Sequence, residues 1–314
     1  MAAPKHANAA KSVYSAAHFT LELDGIGKSS GQLPTLRSVE GGGVKADVVN
    51  YQMGENGDIW RQLGKPKYDD IKMTLGLADA GGFWDWIKEF LAGQPSHKNG
   101  AIVAADYNFE EKARREFEQA LIVGLALPKW DANAKEQANV TITMAVEKVV
   151  FKPASGSRVD TRDLSEAKQK HIAACNFRFS VDGFEDACAR TAKVDAMELK
   201  VKTIEHHHGN RLEPIKLAGK FELPNLVFYV PEDDAKAFRD LHNERMAGTR
   251  KDQGQGLSAK LSFYNNNKVE KGEFEFKGVH IFNVSSEKND ASSEELKLVK
   301  IEAAIESVAS FVLK

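Results

Sequence analysis

The chain has 314 residues, 42% of them hydrophobic and 28% charged, with a formal net charge of -2. That length accommodates two ordinary domains, each with its own core. The near-neutral balance excludes binding to nucleic acid or an anionic membrane through bulk charge, and no apolar run approaches the roughly 20 residues of a membrane-spanning helix.

Residues 1–16 are rich in alanine but broken by Lys5, His6, Asn8 and Lys11. They lack the apolar stretch of a signal peptide and read as an arm that orders on assembly, on a chain folded in the cytoplasm. Residues 19–25 alternate apolar and polar side chains and close in Asp24-Gly25, a strand running into a turn. Residues 44–52 alternate again, and a loop follows from Met53. Residues 68–77 read as a strand, with Ile71, Met73 and Leu75 on one face. The clearest helix comes next: Asp79 caps it, Phe83, Trp84, Ile87, Phe90 and Leu91 form one stripe, and Gly93 stops it. Residues 101–109, 116–127 and 139–151 read as strands.

Residues 153–172 hold Pro153, Ser155, Gly156 and Ser157 and then a charged run, and read as a linker with a short helix over 164–170. Beyond it, 221–230 is a strand. Pro231 and Asp233 open a helix carrying Ala235, Phe238 and Leu241, and Gly248 closes it. Residues 257–264, 273–284 and 295–313 complete the strands. The last alternates poorly, a sign of burial on both faces. Cys175 and Cys188 are too few for a disulfide framework and read as reduced, packed thiols.

The second half repeats the first. Phe19, Leu21, Leu23, Asp24 and Gly25 reappear as Phe177, Phe179, Val181, Asp182 and Gly183, an offset of 158 (177 − 19). Val49, Gly54, Ile71, Phe83 and Gly93 correspond to Ile204, Gly209, Leu226, Phe238 and Gly248 at 155 (238 − 83). Phe117 aligns with Phe274 at 157 (274 − 117), and Glu136, Val140, Ile142, Val146 and Glu147 with Glu295, Val299, Ile301, Ile305 and Glu306 at 159 (306 − 147). Order and spacing kept over five segments imply a tandem duplication. The expected fold is mainly β: two tandem antiparallel barrel or sandwich domains, 17–152 and 173–314, each with one helix. Their expected cores include Phe19, Phe83, Trp84 and Ile87, then Phe177, Phe238 and Leu241.

No motif carries catalysis. Residues 25–31 end like a phosphate loop, but the pattern needs a glycine where Glu22 stands and a helix where Leu33-Pro34 intervene. His206 and His208 would share a strand face, too few ligands for a metal without a third. They align with Tyr51 and Met53, which supply no imidazole. The acidic pairs Asp69-Asp70, Glu110-Glu111 and Asp233-Asp234 fall at turns or helix starts. The stripe of Phe83, Trp84, Trp86 and Phe90 is the core face of a helix. The sequence points to no catalytic residue, cofactor or metal. A hydrolase built on the histidine cluster would require activity that is lost on His206→Ala or His208→Ala.

Five ordered blocks of the first half resemble the contractile-phage tail tube family, which includes the tubes of contractile injection systems. They are the strand 19–25; Tyr51 to Gly54-Glu55-Asn56-Gly57; Arg61 with Leu63-Gly64-Lys65-Pro66-Lys67-Tyr68; Ile71 to Gly76 followed by Phe83-Trp84-Asp85-Trp86; and Leu127-Pro128-Lys129-Trp130. The usual Pro-Gly order is lost at 64–66. The second half lacks the Gly-Glu-Asn-Gly block and resembles the family only through the repeat. The resemblance implies a ring-forming β fold whose rings stack around an open lumen. It also implies neighbouring tube, sheath, baseplate or spike proteins, and DNA or effector cargo in the lumen. The place of action would be a virion tail or injection particle assembled in the bacterial host cytoplasm. Residues 53–67 would be the loop that meets another ring or the second domain, with Gly54, Glu55, Asn56, Gly57, Ile59, Trp60, Leu63 and Tyr68 as assembly residues. Six tube domains per ring leave two arrangements for a duplicated chain. Three chains form a pseudo-hexamer with the halves side by side, or six chains form two stacked layers. A ring-forming effector carrier is the alternative function.

Overall fold

The computed structural model describes residues 18–26, 36–53, 57–77, 81–159, 172–248, 256–286 and 296–313. The arm 1–16, most of the linker, Asp79, Gly54, Glu55 and Asn56 lie outside them. The chain is mainly β and antiparallel throughout.

The first half contains β1 (Phe19–Leu23), β2 (Leu36–Gly41), β3 (Val44–Met53), β4 (Asp58–Tyr68), β5 (Ile71–Gly76), α1 (Gly81–Leu91), β6 (Lys98–Ala105), β7 (Glu111–Leu127), β8 (Trp130–Asp131), β9 (Asn139–Ala145) and β10 (Lys148–Pro153). The second contains β11 (Phe177–Val181), α2 (Glu185–Cys188), β12 (Lys193–Val194), β13 (Met197–His206), β14 (Ile215–Glu222), β15 (Leu226–Pro231), α3 (Lys236–Met246), β16 (Leu257–Tyr264), β17 (Glu270–Ser286), β18 (Leu298–Ala304) and β19 (Ser307–Leu313).

The two halves pair their strands alike. In the first, β1, β6, β7, β9, β5 and β2 lie side by side in that order, β10 flanks the start of β7, and β3 pairs with β4. In the second, β11, β16, β17, β18, β15 and β12 follow the same order, β19 flanks the start of β17, and β13 pairs with β14. Irregularities recur at matching places. The ladder slips between Ala46 and Val48 and between Val201 and Thr203, and again between Ile122 and Gly124 and between Ile281 and Asn283. Left-handed residues recur as well: Phe109 (φ 61) with Lys268 (φ 58), and Gln119 (φ 53) with Gly278 (φ 64). A Cβ at 278 would meet the Glu306 carboxyl carbon at 2.3 Å, so a side chain there would displace that carboxylate as well as strain the backbone.

Several sequence expectations are corrected. Phe117 faces Gly100 and Val149, as Phe276 faces Ala259 and Val308. Its counterpart is therefore Phe276, 159 residues on (276 − 117), and not Phe274, which shares only the local string Glu-Phe-Glu with Phe117. The strand expected over 139–151 is two, β9 and β10, because the chain leaves the C-terminal part of β7 at Val146-Glu147 and rejoins its N-terminal part. The strand 295–313 divides likewise into β18 and β19, and 221–230 into β14 and β15 around Pro224. The second half also carries a four-residue helix, α2.

The helices close both cores. Phe83, Trp84, Trp86, Ile87 and Phe90 of α1, and Phe238 and Leu241 of α3, are buried. Each such side chain contributes about 1.5–3 kcal/mol by leaving water. Both helices stop at a left-handed glycine, Gly93 (φ 73) and Gly248 (φ 66), whose N–H donates to the carbonyl of Phe90 (3.1 Å) and Arg245 (3.2 Å). Phe19 and Phe177 are only half-buried; Leu21, Leu23, Phe179 and Val181 carry those strands into the core.

Candidate assembly surface

The segment expected as a loop over 53–67 is a β-hairpin. β3 and β4 pair from Val44 opposite Tyr68 to Met53 opposite Asp58, with left-handed Gly57 (φ 69) at the turn. The glycines and Pro66 made β4 look irregular in sequence. Pro66 is accommodated beside the slip at Ala46/Val48, where a missing N–H costs little. The hairpin forms a two-stranded sheet of its own, and its apolar residues are exposed: Ile59, Trp60 (66%), Leu63 (72%), Val48 and Tyr51. Val48 pairs with Leu63 and Tyr51 with Trp60. Because residues three apart on a strand point to opposite faces, both faces of the hairpin carry apolar groups in water. Such a concentration marks a contact surface. Tyr68, at its base, is half-buried, and burial pushes its phenol up.

A second feature is the seam between the halves. β13 adds to the C-terminal end of β7, Met197 opposite Leu127 and Lys200 opposite Gly124, and β12 pairs with β8, Val194 opposite Trp130. Rings cross the seam: Trp130 stacks on Phe263 (5.6 Å), Trp84 meets Phe311 edge-on (5.2 Å) and Phe90 meets Phe221 (5.3 Å). The buried residues of both halves accordingly form one continuous cluster. Beside it Leu121, Val123 and Ala145 pack under Ala218 of β14.

A buried carboxylate pins the seam. Glu147, 2% exposed, accepts the Lys216 backbone N–H (2.9 Å) and pairs with the Arg211 guanidinium (2.9 Å). Nearby, the Lys216 ammonium lies 3.7 Å from Asp70, whose carboxyl burial pushes up and Lys216 pulls back. The His97 ring bonds the Lys216 carbonyl (2.9 Å). The sequence aligned Glu147 with Glu306 without revealing this role, since its partners come from the other half of the chain.

His206 and His208 have ring centroids 6.0 Å apart at the exposed end of β13. Among the described residues no three His, Cys, Asp or Glu side chains converge to hold a metal. Cys188 is buried, which pushes its thiol up to about 12. No described helix is long and apolar enough to cross a membrane.

The family model of the T4-like virus tail tube protein gp19 matches residues 15–150. Over those residues the chain is similar to the tail tube family. The hairpin and strands β1 to β9 lie within the matched residues. Among solved structures, the chain is similar to one in the sheath-tube complex of an extracellular contractile injection system, PVC, in its extended state. The two are 19% identical, over 49% of this chain and all of the other, with TM-score 0.40. It is also similar to a chain of the anti-feeding prophage tube-terminating cap, at 21% identity over 46% of this chain and 95% of the other, TM-score 0.40. A chain of the sixfold-symmetrised anti-feeding prophage baseplate is 11% identical over 44% of this chain and 90% of the other, TM-score 0.32. No curated protein matches the chain.

Proposed function

We propose that the chain is a structural, non-enzymatic subunit of a tail-like tube, with two tube domains, 17–152 and 173–314, side by side in one ring layer. The observation that carries this reading is the seam: β13 of the second half continues the sheet of the first at β7. A stacked arrangement would instead set the halves apart along an axis. The recurring strand pairings and slips support descent of both halves from one duplicated domain.

Six tube domains per ring then correspond to three chains. The two hairpins differ: β3–β4 exposes apolar residues on both faces, including Trp60 and Leu63, whereas β13–β14 exposes the pair Ile204 and Leu217 and leads into His206, His207 and His208. A repeating tube needs the same contacts at every layer, while alternating hairpins suit a threefold partner against a sixfold one. The chain therefore reads as an adaptor ring between tube and baseplate or spike, with DNA or an effector passing through the lumen. Gly54, Glu55, Asn56, Gly57, Ile59, Trp60, Leu63 and Tyr68 are assigned to contacts with neighbouring subunits. Native mass spectrometry of the purified ring tests this. Three chains are expected; six per ring would defeat the adaptor model, and a permanently monomeric chain would defeat the tube reading itself.

A further inference from the structure

The seam inside the chain has an unfilled counterpart at each of its ends. Carried forward by the offsets of the two halves, the four β7 residues that receive β13, Gly124 to Leu127, correspond to Asn283 to Ser286 of β17. The strand that docks there, Met197 to Lys200, corresponds to Gly42 to Lys45, at the start of β3. Among the described residues, the first of these segments pairs only with β18, and the part of the second that lies in β3 pairs only with β4. Both keep a strand edge open, a ready template for another strand.

Burial follows the same logic. Leu199 is 0% exposed in the seam, whereas its counterpart Val44 is 46% exposed. Val123, covered by Ala218, is 8% exposed, whereas its counterpart Phe282 is 44% exposed. Leu63 is the counterpart of Ala218. Both members of the outer pair are larger and both lie in water. Glu147 meets the Lys216 backbone and Arg211 in the seam. Its counterpart Glu306 is largely exposed, bonded to His280 (2.8 Å), and the counterpart of Lys216 is the exposed Arg61.

We propose that a second copy of this chain fills these ends. The start of β3 in one copy adds antiparallel to the end of β17 in the next, with Val44 opposite Val284 and Lys45 opposite Asn283. Leu63 covers Phe282, and Arg61 faces Glu306. The contact is head-to-tail, so repeating it builds a closed ring or an open helix, never a two-fold dimer. The outer junction is the more polar of the two. The seam rings Trp84 and Phe311 have Arg239 and Lys152 as counterparts, each already paired, with Glu232 and Glu116. Phe90 and Phe221 have Arg245 and Pro66. The inner seam therefore forms with folding, and the outer one only on assembly. This deepens the tube reading and rests on it for ring closure, while the register stands on the pairing of β7 with β13.

Disulfide trapping tests the register. Opposed antiparallel residues have Cα atoms about 4.5–5.5 Å apart, within disulfide reach. A Val44→Cys/Val284→Cys chain in a Cys175→Ser background, mildly oxidised, should give intermolecular cross-links on a non-reducing gel, ending in a circular three-chain species. Val44→Cys/Ser285→Cys puts the thiols on opposite faces and should cross-link at least tenfold less. Phe282→Asp should abolish cross-linking and leave the monomer folded. If electron microscopy shows rings of the unmodified chain but the matched pair fails to cross-link, or does so no better than the offset pair, the register is wrong and the tube reading stands. If the chain neither forms rings nor cross-links, both fall.

Discussion

Glu147 offers a comparison of one side chain in two settings. At 147 the carboxylate is buried and accepts the Lys216 N–H while pairing with Arg211. Glu147→Ala leaves that N–H without its acceptor, about 1–3 kcal/mol for a buried donor. It also strips Arg211 of its partner, but Arg211 keeps 30% of its side chain in water and a second carboxylate, Glu213, at 3.8 Å. The full 3–5 kcal/mol of a broken buried pair therefore does not apply, and the expected total is about 2–4 kcal/mol. Glu147→Gln retains an acceptor and should lose about half of that. The counterpart substitution Glu306→Ala, at an exposed site, should change monomer stability by no more than about 0.5 kcal/mol while weakening self-association. Urea unfolding of the monomer, followed by tryptophan fluorescence, measures the first effect, and sedimentation measures the second. A loss below about 1 kcal/mol for Glu147→Ala, or equal losses at 147 and 306, would refute the claim that this carboxylate pins the halves together.

Trp60→Ser with Leu63→Ser should leave the monomer's urea midpoint unchanged and prevent assembly seen by electron microscopy; normal particles would count against the hairpin as a contact surface. Phe83→Ala and Phe238→Ala empty the same site beneath the two helices, and each should cost about 3–5 kcal/mol by denaturant unfolding. Because one core spans the seam, either should shift a single transition rather than melt one half alone. Glu111 is buried, which raises its pKa, but hydrogen bonds from Ser155 (2.8 Å) and Arg114 (3.2 Å) outweigh burial and hold its carboxyl below the usual value. A depressed carboxyl stabilises the fold above the ordinary glutamate pKa of about 4.3 and loses that contribution as pH falls through its folded value. Glu111→Gln should thus flatten the decline in urea midpoint from about pH 5 downward, and an unchanged acid slope would exclude the role.

Much of this was legible in the sequence because burial on one face imposes a period. Leu21 and Leu23, Ile71 and Leu75, and the stripe from Phe83 to Phe90 announced their elements. So did the repeat, since a fold kept twice keeps its apolar positions twice. The hairpin was half legible: β3 announced itself over 44–52, but β4 carries Ile59, Trp60 and Leu63 on both faces with Gly64 and Pro66 inside, so periodicity failed where the surface awaits a partner. The corners at Val146-Glu147 and Ile305-Glu306 escaped because neither carries a glycine or proline to mark where the chain leaves one part of β7 or β17 and rejoins another. The seam escaped for a different reason. Met197, Leu199 and Val201 do alternate, but which strand they join depends on residues 70 or more positions away (197 − 127).

In the proposed ring, the joining of the two halves through β7 and β13 also changes how the oligomer is nucleated. Alternate junctions are made during folding and persist at any dilution, since the partner strand is tethered and its local concentration is fixed by the chain rather than by expression level. Only the junctions between chains respond to abundance and, being rich in charged counterparts, to salt. Each closed layer then needs fewer diffusive encounters than one assembled from separate domains, and the two kinds of hairpin alternate around it without any sorting step. Such a subunit sets its own neighbour order before it meets another copy.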